Sequence, residues 1–262
     1  MQEMNVYLVV LTLIAGFFAG FINSLAGSGS TISLSLLMFL GMPANVANGT
    51  NRLMILLSSI VGVASFRQQK AIKLRENYRI TIPSIVGALL GALLAVNIDE
   101  KIMTRIIGIL MVFLFFVVVY KPEKWVKVAN PDHTVKLNWS QNLVMFCIGF
   151  YGGFIQLGVG VFLLAGLVLS VGYDLIKANV LKILIVLVYT LFILPVFIWK
   201  GQINFSIGFI LAAGSMVGAY LASRFAVSWG PKFVRYILLA VILISAIKFL
   251  GIYDWVKTLV VP

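Results

Sequence analysis

The chain contains ten long apolar runs that carry almost no charge. They cover residues 6–25, 31–41, 53–66, 80–97, 103–120, 143–156, 160–172, 183–199, 204–222 and 236–252. Charged residues make up only 11% of the sequence and apolar residues 61%, whereas soluble proteins hold about 25% and about 45–50%. So few charges cannot cover a water-exposed surface, so much of the apolar surface must face lipid. The runs are continuously apolar rather than alternating, which predicts helices rather than the strands of a barrel.

Four of the runs are shorter than a full membrane crossing. A helix needs about 20 apolar residues to cross the hydrocarbon core, and the second, third, sixth and seventh runs fall below that length. Glycine turns join the first run to the second at Gly27-Ser28-Gly29, and the sixth to the seventh at Gly158-Val159-Gly160. Each pair is either a full hairpin or a re-entrant one. The predicted fold class is an all-α polytopic membrane protein.

The basic residues are unevenly distributed between the loops. If the loops alternate between two sides, one side receives 14 basic and four acidic residues, and the side with the N-terminus receives five and four. Cytoplasmic loops are enriched in Lys and Arg, so we expect a multi-pass protein of the plasma membrane with both termini outside. The formal net charge of +12 is then explained by topology and membrane lipids, and no nucleic-acid partner is expected. A homo-oligomer remains possible.

The two halves of the chain repeat one another. Residues 16–22 resemble 149–155, and the glycines of the two turns match as well. Each half holds five runs, an odd number, so equivalent elements should point in opposite directions. We predict a first membrane repeat at 1–120, a cytoplasmic connector at 121–142 and a second repeat at 143–262. Inverted repeats are typical of transporters, although an old duplication kept only for folding would leave the same pattern.

Polar residues gather at the two glycine turns and shortly after them. A break in a helix at membrane depth survives only where it is buried in protein or lines a wet cavity. Helices that begin after Gly29 and Gly160 would point their positive N-terminal ends into such a cavity. Arg52 and Lys182 stand at the start of the third and eighth runs, and Arg52 would neutralise charge at the outer approach. The candidate residues for a midplane anion site are Asn23, Gly27, Ser28, Gly29, Ser30, Thr31, Asn48, Asn51, Arg52, Gln156, Gly158, Gly160, Asn179 and Lys182. Ordinary helix capping is the alternative explanation.

The sequence lacks the residues that other functions require. No apolar run holds an acidic residue in its interior, which disfavours proton or sodium coupling through buried carboxylates. No phosphate loop and no His-Glu-x-x-His motif occurs, so we expect no enzyme activity, no cofactor and no metal. Four alternatives stay open: an importer, a channel, a membrane-embedded enzyme and a non-catalytic assembly subunit.

The residues around the first turn resemble those of a known family. The stretch Gly20-Phe21-Ile22-Asn23-Ser24-Leu25-Ala26-Gly27-Ser28-Gly29-Ser30, followed by Gly41-Met42-Pro43 and Ala47-Asn48-Gly49-Thr50-Asn51, is similar to the TauE/SafE sulfite exporter family. Ser30 stands where the family pattern usually has a glycine. The resemblance implies a carrier of small sulfur-containing anions such as sulfite or organosulfonates. Expelling one negative charge from a negative interior gains about 2.3 kcal/mol per 100 mV, which favours export by alternating access.

Overall fold

The computed structural model describes residues 6–68, 78–119 and 138–225, and within them the chain is helical, with no strand. The helices are α1 (Val6–Ala26), α2 (Ser30–Phe39), α3 (Ala44–Gln68), α4 (Tyr78–Ala95), α5 (Glu100–Val119), α6 (Trp139–Phe154), α7 (Val159–Ala165), α8 (Leu175–Trp199) and α9 (Phe205–Phe225). A π-helical segment, Gly166–Val171, extends α7. The predicted all-α fold class is confirmed. Most of the connector and the tenth run lie outside the described residues.

Four of these helices are long and apolar enough to span a membrane: α1, α3, α8 and α9. Three apolar helical stretches are shorter: α2, residues 80–95 of α4, and α7 with its π-helical extension. Two of these stretches, α2 and α7, follow the glycine turns after α1 and α6, as the short second and seventh runs predict. Each half therefore contains one helix that breaks, turns and continues as a short segment.

Helices α3 and α8 begin earlier than the hydropathy of their sequences predicts. The predicted runs start at residues 53 and 183, whereas the helices start at Ala44 and Leu175. Arg52 and Lys182 therefore lie about 12 and 10 Å along their helices, at a rise of about 1.5 Å per residue, and both are buried. The prediction that Arg52 and Lys182 stand at the starts of their segments is therefore wrong. The polar side chains fit inside the helices because they hydrogen-bond to other helices.

Two helix pairs pack so closely that only glycine fits between them. Along α1, a Cβ on Gly16 or Gly20 would collide with the backbone oxygen of Leu211 or Ser215 on α9. Glycines on α4 and α6 face each other's backbones in the same way: Gly87 meets Phe146, Gly91 meets Phe150, Gly149 meets Ser84 and Gly153 meets Ala88. The register of these contacts makes each pair parallel. Because α1 packs on α9 and α4 on α6, the two halves are interleaved.

The loops assigned to the outer side meet at one end of the molecule. The loop after α4 contacts the loop after α8 and the start of α3. Three hydrogen bonds make this contact: Lys200 Nζ to Asn97 Oδ1 (2.8 Å), Gln202 Nε2 to the Val96 oxygen (3.1 Å) and Asn45 Nδ2 to the Ile98 oxygen (2.9 Å). Gln141 at the start of α6 donates to the Ser170 oxygen, just before α8. The end of α1 packs against the start of α8 in a small apolar cluster that includes Leu25 and Val180.

Candidate functional site

The two glycine turns contact each other directly. The N–H of Gly160 donates to the backbone oxygen of Gly27 at 3.1 Å. Gly27 has a φ of +78°, which favours glycine, and a Cβ there would collide with the Cα of Gly160. The ends of α1 and α6 and the starts of α2 and α7 therefore meet at one place, where the sequence predicts a site.

Ser30 links the two turns through its hydroxyl group. Its Oγ donates to the Gln156 oxygen at 2.6 Å and accepts from the Gly158 N–H at 3.3 Å. The side chain is buried. Gly158, with a φ of +65°, precedes α7, so one serine of the first half satisfies two backbone groups of the second break.

Arg52 is completely buried and binds the end of α6. Four of its guanidinium hydrogen bonds run from Nη1 to the Gly152 oxygen (2.9 Å) and Gln156 Oε1 (3.2 Å), and from Nη2 to the Gly153 oxygen (2.6 Å) and Asn48 Oδ1 (3.4 Å). The guanidinium carbon lies 4.4 Å from the centre of the Phe197 ring. The last carbonyls of a helix lack helical partners and carry its negative dipole end, which explains why a cation lies there.

Asn48 belongs to the same cluster. Its Nδ2 donates at 3.0 Å to the backbone oxygen of Phe154, which is the last residue of α6. One turn of α3 therefore supplies both side chains that satisfy the broken end of α6.

Lys182 plays the corresponding part for α1. Its Nζ donates to the backbone oxygens of Asn23 (2.9 Å) and Ser24 (3.2 Å) and to Asn179 Oδ1 (2.7 Å). Asn179 aligns with Asn48 in the repeat. Each half thus sends a cation from one long helix to the broken helix of the other half, and an asparagine of the same long helix accepts a hydrogen bond from that cation.

Within the described residues, neither buried cation has a carboxylate among its hydrogen-bond partners. The acids of the described residues are Asp99, Glu100 and Asp174, which lie in a loop or at a helix start. All acceptors of Arg52 and Lys182 are carbonyl or amide oxygens, which are polar but carry no net charge. Buried charges are stable when paired. The two positive charges therefore make this region attractive to an anion.

Three buried donors of the first half make no hydrogen bond within the described part of the chain. They are Ser28 Oγ, Asn51 Nδ2 and Arg52 Nε. Asn51 uses only its oxygen, which accepts from Ser33 Oγ at 2.5 Å. A buried donor without an acceptor costs about 1–3 kcal/mol, so these atoms are suited to a ligand that supplies oxygen.

Two aromatic residues of the site were not predicted from the sequence. Tyr189 is fully buried and its hydroxyl accepts from Gln156 Nε2 at 2.8 Å, while Phe197 stacks on Arg52. Both lie inside the eighth apolar run, and only the hydroxyl of Tyr189, a polar group in a run interior, could have drawn attention. Thr31, by contrast, lies in the first turn of α2, where its carbonyl oxygen accepts from Ser35 Oγ.

Comparison with known proteins places this arrangement in a family. Residues 12–249 match the family described as sulfite exporter TauE/SafE. The chain belongs to the TauE/SafE family. This confirms the resemblance seen at the first glycine turn and extends it over nearly the whole sequence.

Three proteins similar to this chain are described as probable membrane transporter proteins. One from a Sinorhizobium species is 28% identical over 96% of this chain and 95% of its own length. One from Haemophilus influenzae is 28% identical over 89% and 91%. YfcA of Escherichia coli is 29% identical over 97% and 95%. No solved structure matches the chain significantly.

Proposed function

We propose that this TauE/SafE member exports small sulfur-containing anions, such as sulfite or organosulfonates, across the plasma membrane without a catalytic step. The observation that carries the proposal is the burial of Arg52 and Lys182 beside the two helix breaks, with only uncharged acceptors. Membership of a transporter family supplies the process, and the unpaired positive charge suggests the kind of solute.

The positive charge of the buried site favours an anion over a neutral or cationic solute. Arg52 lies beside the broken end of α6, and Lys182 lies beside the broken end of α1. Together they create a positive potential in a region that has little water to screen it. The helix that starts at Ser30 adds its positive dipole end. A cation would be repelled, and a neutral solute would leave both charges uncompensated.

The crossed contacts between the halves support alternating access. Helix α3 holds the end of α6, and α8 holds the end of α1. The loops after α4 and α8 meet, so α4 ends where α9 begins. Because α1 runs parallel to α9 and α6 runs parallel to α4, α1 and α6 run in opposite directions, which favours oppositely directed halves. We propose that the inverted halves rock about the Gly27–Gly160 contact and open the site to one side at a time.

The proposed direction follows from the membrane potential. A carrier without buried carboxylates in its described helices has no evident proton or sodium site of the usual kind. An anion nevertheless leaves a negative cell interior downhill, by about 2.3 kcal/mol per charge and 100 mV. Export therefore needs no coupling ion, whereas accumulation of the same anion would.

Transport by the purified full chain in sealed liposomes tests the proposal. Vesicles preloaded with sulfite or methanesulfonate should lose the anion in a saturable manner, and faster when an ionophore makes the lumen negative. Lys200→Met is a matched control, because this exposed lysine lies far along α8 from Lys182 and should transport normally.

Three results would oppose the proposal. If none of these anions left the vesicles while a neutral solute did, the proposal that the solute is an anion would be wrong. A rate that rose without saturation would indicate a channel. Transport that required an inward proton or sodium gradient would indicate an importer.

A further inference from the structure

The hydrogen-bonding capacity of Lys182 is fully used by the protein. An ammonium group has three N–H donors, and Nζ has three acceptors within 3.2 Å: the oxygens of Asn23 and Ser24 and Asn179 Oδ1. An anion that bound directly to Nζ would have to displace one of these contacts. Two of them hold the last turn of α1.

Two backbone donors of the second break are occupied as well. The Gly158 N–H donates to Ser30 Oγ, and the Gly160 N–H donates to the Gly27 oxygen. Both acceptors belong to the first half. These two amides at the start of α7 therefore already donate to acceptors in the contact between the halves.

The first half leaves three buried side-chain donors unused within the described residues: Ser28 Oγ, Asn51 Nδ2 and Arg52 Nε. The second half leaves the hydroxyls of Thr190 on α8 and Ser215 on α9 unused, but neither residue belongs to the second glycine turn. Two of these residues, Ser28 and Asn51, lie at the first turn of α2, and Arg52 follows Asn51 in α3. Ser28 directly precedes the turn, and the Asn51 amide is bonded to Ser33. Arg52 Nη1 donates to the side chain of Gln156, and the backbone oxygen of Gln156 accepts from Ser30 in that turn.

We infer that the site is asymmetric: the anion binds at the first turn of α2 through Ser28, Asn51 and Arg52, and Lys182 is a positioning residue that does not touch it. The inference rests on the proposed transport of an anion. Lys182 holds the broken end of α1, and so positions the turn to which Ser28 belongs. Its substitution should change the rate of the conformational cycle, whereas loss of a free donor should change affinity.

The test separates affinity from rate in proteoliposomes loaded with methanesulfonate or sulfite. Ser28→Ala removes a hydroxyl without a partner in the described protein, so KM should rise about ten-fold or more with an unchanged melting temperature. Asn51→Asp keeps the oxygen that binds Ser33 but replaces the donor with a negative charge, so KM should rise further. Ser58→Ala is the matched control, since the hydroxyl of this buried serine of α3 bonds only the Ile55 oxygen among the described residues.

Substitution of Lys182 gives the opposite pattern. Lys182→Met should lower the maximal rate with KM within about two-fold, and Lys182→Arg, which can still donate to the two carbonyls, should recover much of the rate. If Lys182→Met does not fold, the Ser28 and Ser58 pair decides alone. An unchanged KM in Ser28→Ala and Asn51→Asp, or a rise in KM with Lys182→Arg, overturns the inference while the wild type still transports. A wild type that moves no anion overturns the proposed function as well.

Discussion

Arg52 Nη2 on α3 donates a 2.6 Å hydrogen bond to the backbone oxygen of Gly153, in the last turn of α6. The bond crosses from the first half of the chain to the second, and Lys182 makes the reverse connection to α1. Each break is therefore held by the half that does not contain it. Any movement of one half against the other changes the surroundings of both buried charges, which in the proposed mechanism would couple a bound anion to that movement.

A carboxylate placed beside Arg52 should occupy the site permanently. Gln156 Oε1 lies 3.2 Å from Arg52 Nη1, so Gln156→Glu has nearly the same shape and forms a charge-assisted bond. We expect anion transport to fall more than about ten-fold while the melting temperature stays equal or rises. Gln141→Glu makes the same change near the other end of α6 and should transport normally. Normal transport by Gln156→Glu would mean that the charge of Arg52 is not used.

The Gly27–Gly160 contact should tolerate no side chain. Gly27 and Gly41 have almost the same φ, +78° and +77°, but a Cβ on Gly41 meets nothing within 4 Å, whereas one on Gly27 collides with Gly160. Gly41→Ala should therefore cost only the backbone strain of about 1–2 kcal/mol and keep transport. Gly27→Ala should lose transport and melt at a clearly lower temperature. Equal effects in thermal unfolding and flux assays would show that the contact is unimportant.

The site should prefer monovalent over divalent oxyanions. Its free donors belong to one guanidinium, one amide and one hydroxyl, so a second negative charge on the ligand would be buried without a partner. We expect methanesulfonate to compete with labelled substrate about ten-fold or more better than sulfate at constant pH and ionic strength. Equal competition would indicate that Lys182 also contacts the anion.

The orientation in the membrane can be read from single cysteines. In a Cys147→Ser background, cysteines at Lys101 and Lys200 should react with an impermeant maleimide on intact cells, because both exposed positions lie at the proposed outer end. A cysteine at Lys177 should react only after permeabilisation. The reverse pattern would place the termini in the cytoplasm and overturn the predicted topology.

Hydropathy and glycine placement were enough to predict much of the fold. The apolar runs correspond to helices throughout the described residues, and the turns at Gly27 and Gly158 break them where expected. The early starts of α3 and α8 were missed because hydropathy scores Arg52 and Lys182 as exposed. It cannot register that each meets free carbonyls at the end of a helix from the other half.

The candidate site was predicted in place but not in its internal arrangement. Asn48, Asn179 and the glycines stand out because they recur in both halves. All three N–H donors of Lys182 are used, whereas the two N–H donors of the Asn51 amide have no acceptor in the described residues. This difference depends on distances between helices that are far apart in sequence. The partners Tyr189 and Phe197 were hidden for the same reason, since inside an apolar run they resemble lipid-facing or core residues.

Locating the anion tests the central claim most directly. Selenite resembles sulfite and its selenium scatters anomalously, so diffraction data from crystals of the wild-type protein soaked in selenite would reveal its position. A selenium peak within hydrogen-bond distance of Ser28, Asn51 and Arg52, weakened by excess methanesulfonate, is the predicted result. In a protein shown to transport selenite, a displaceable peak elsewhere, with none at the two glycine turns, would contradict it.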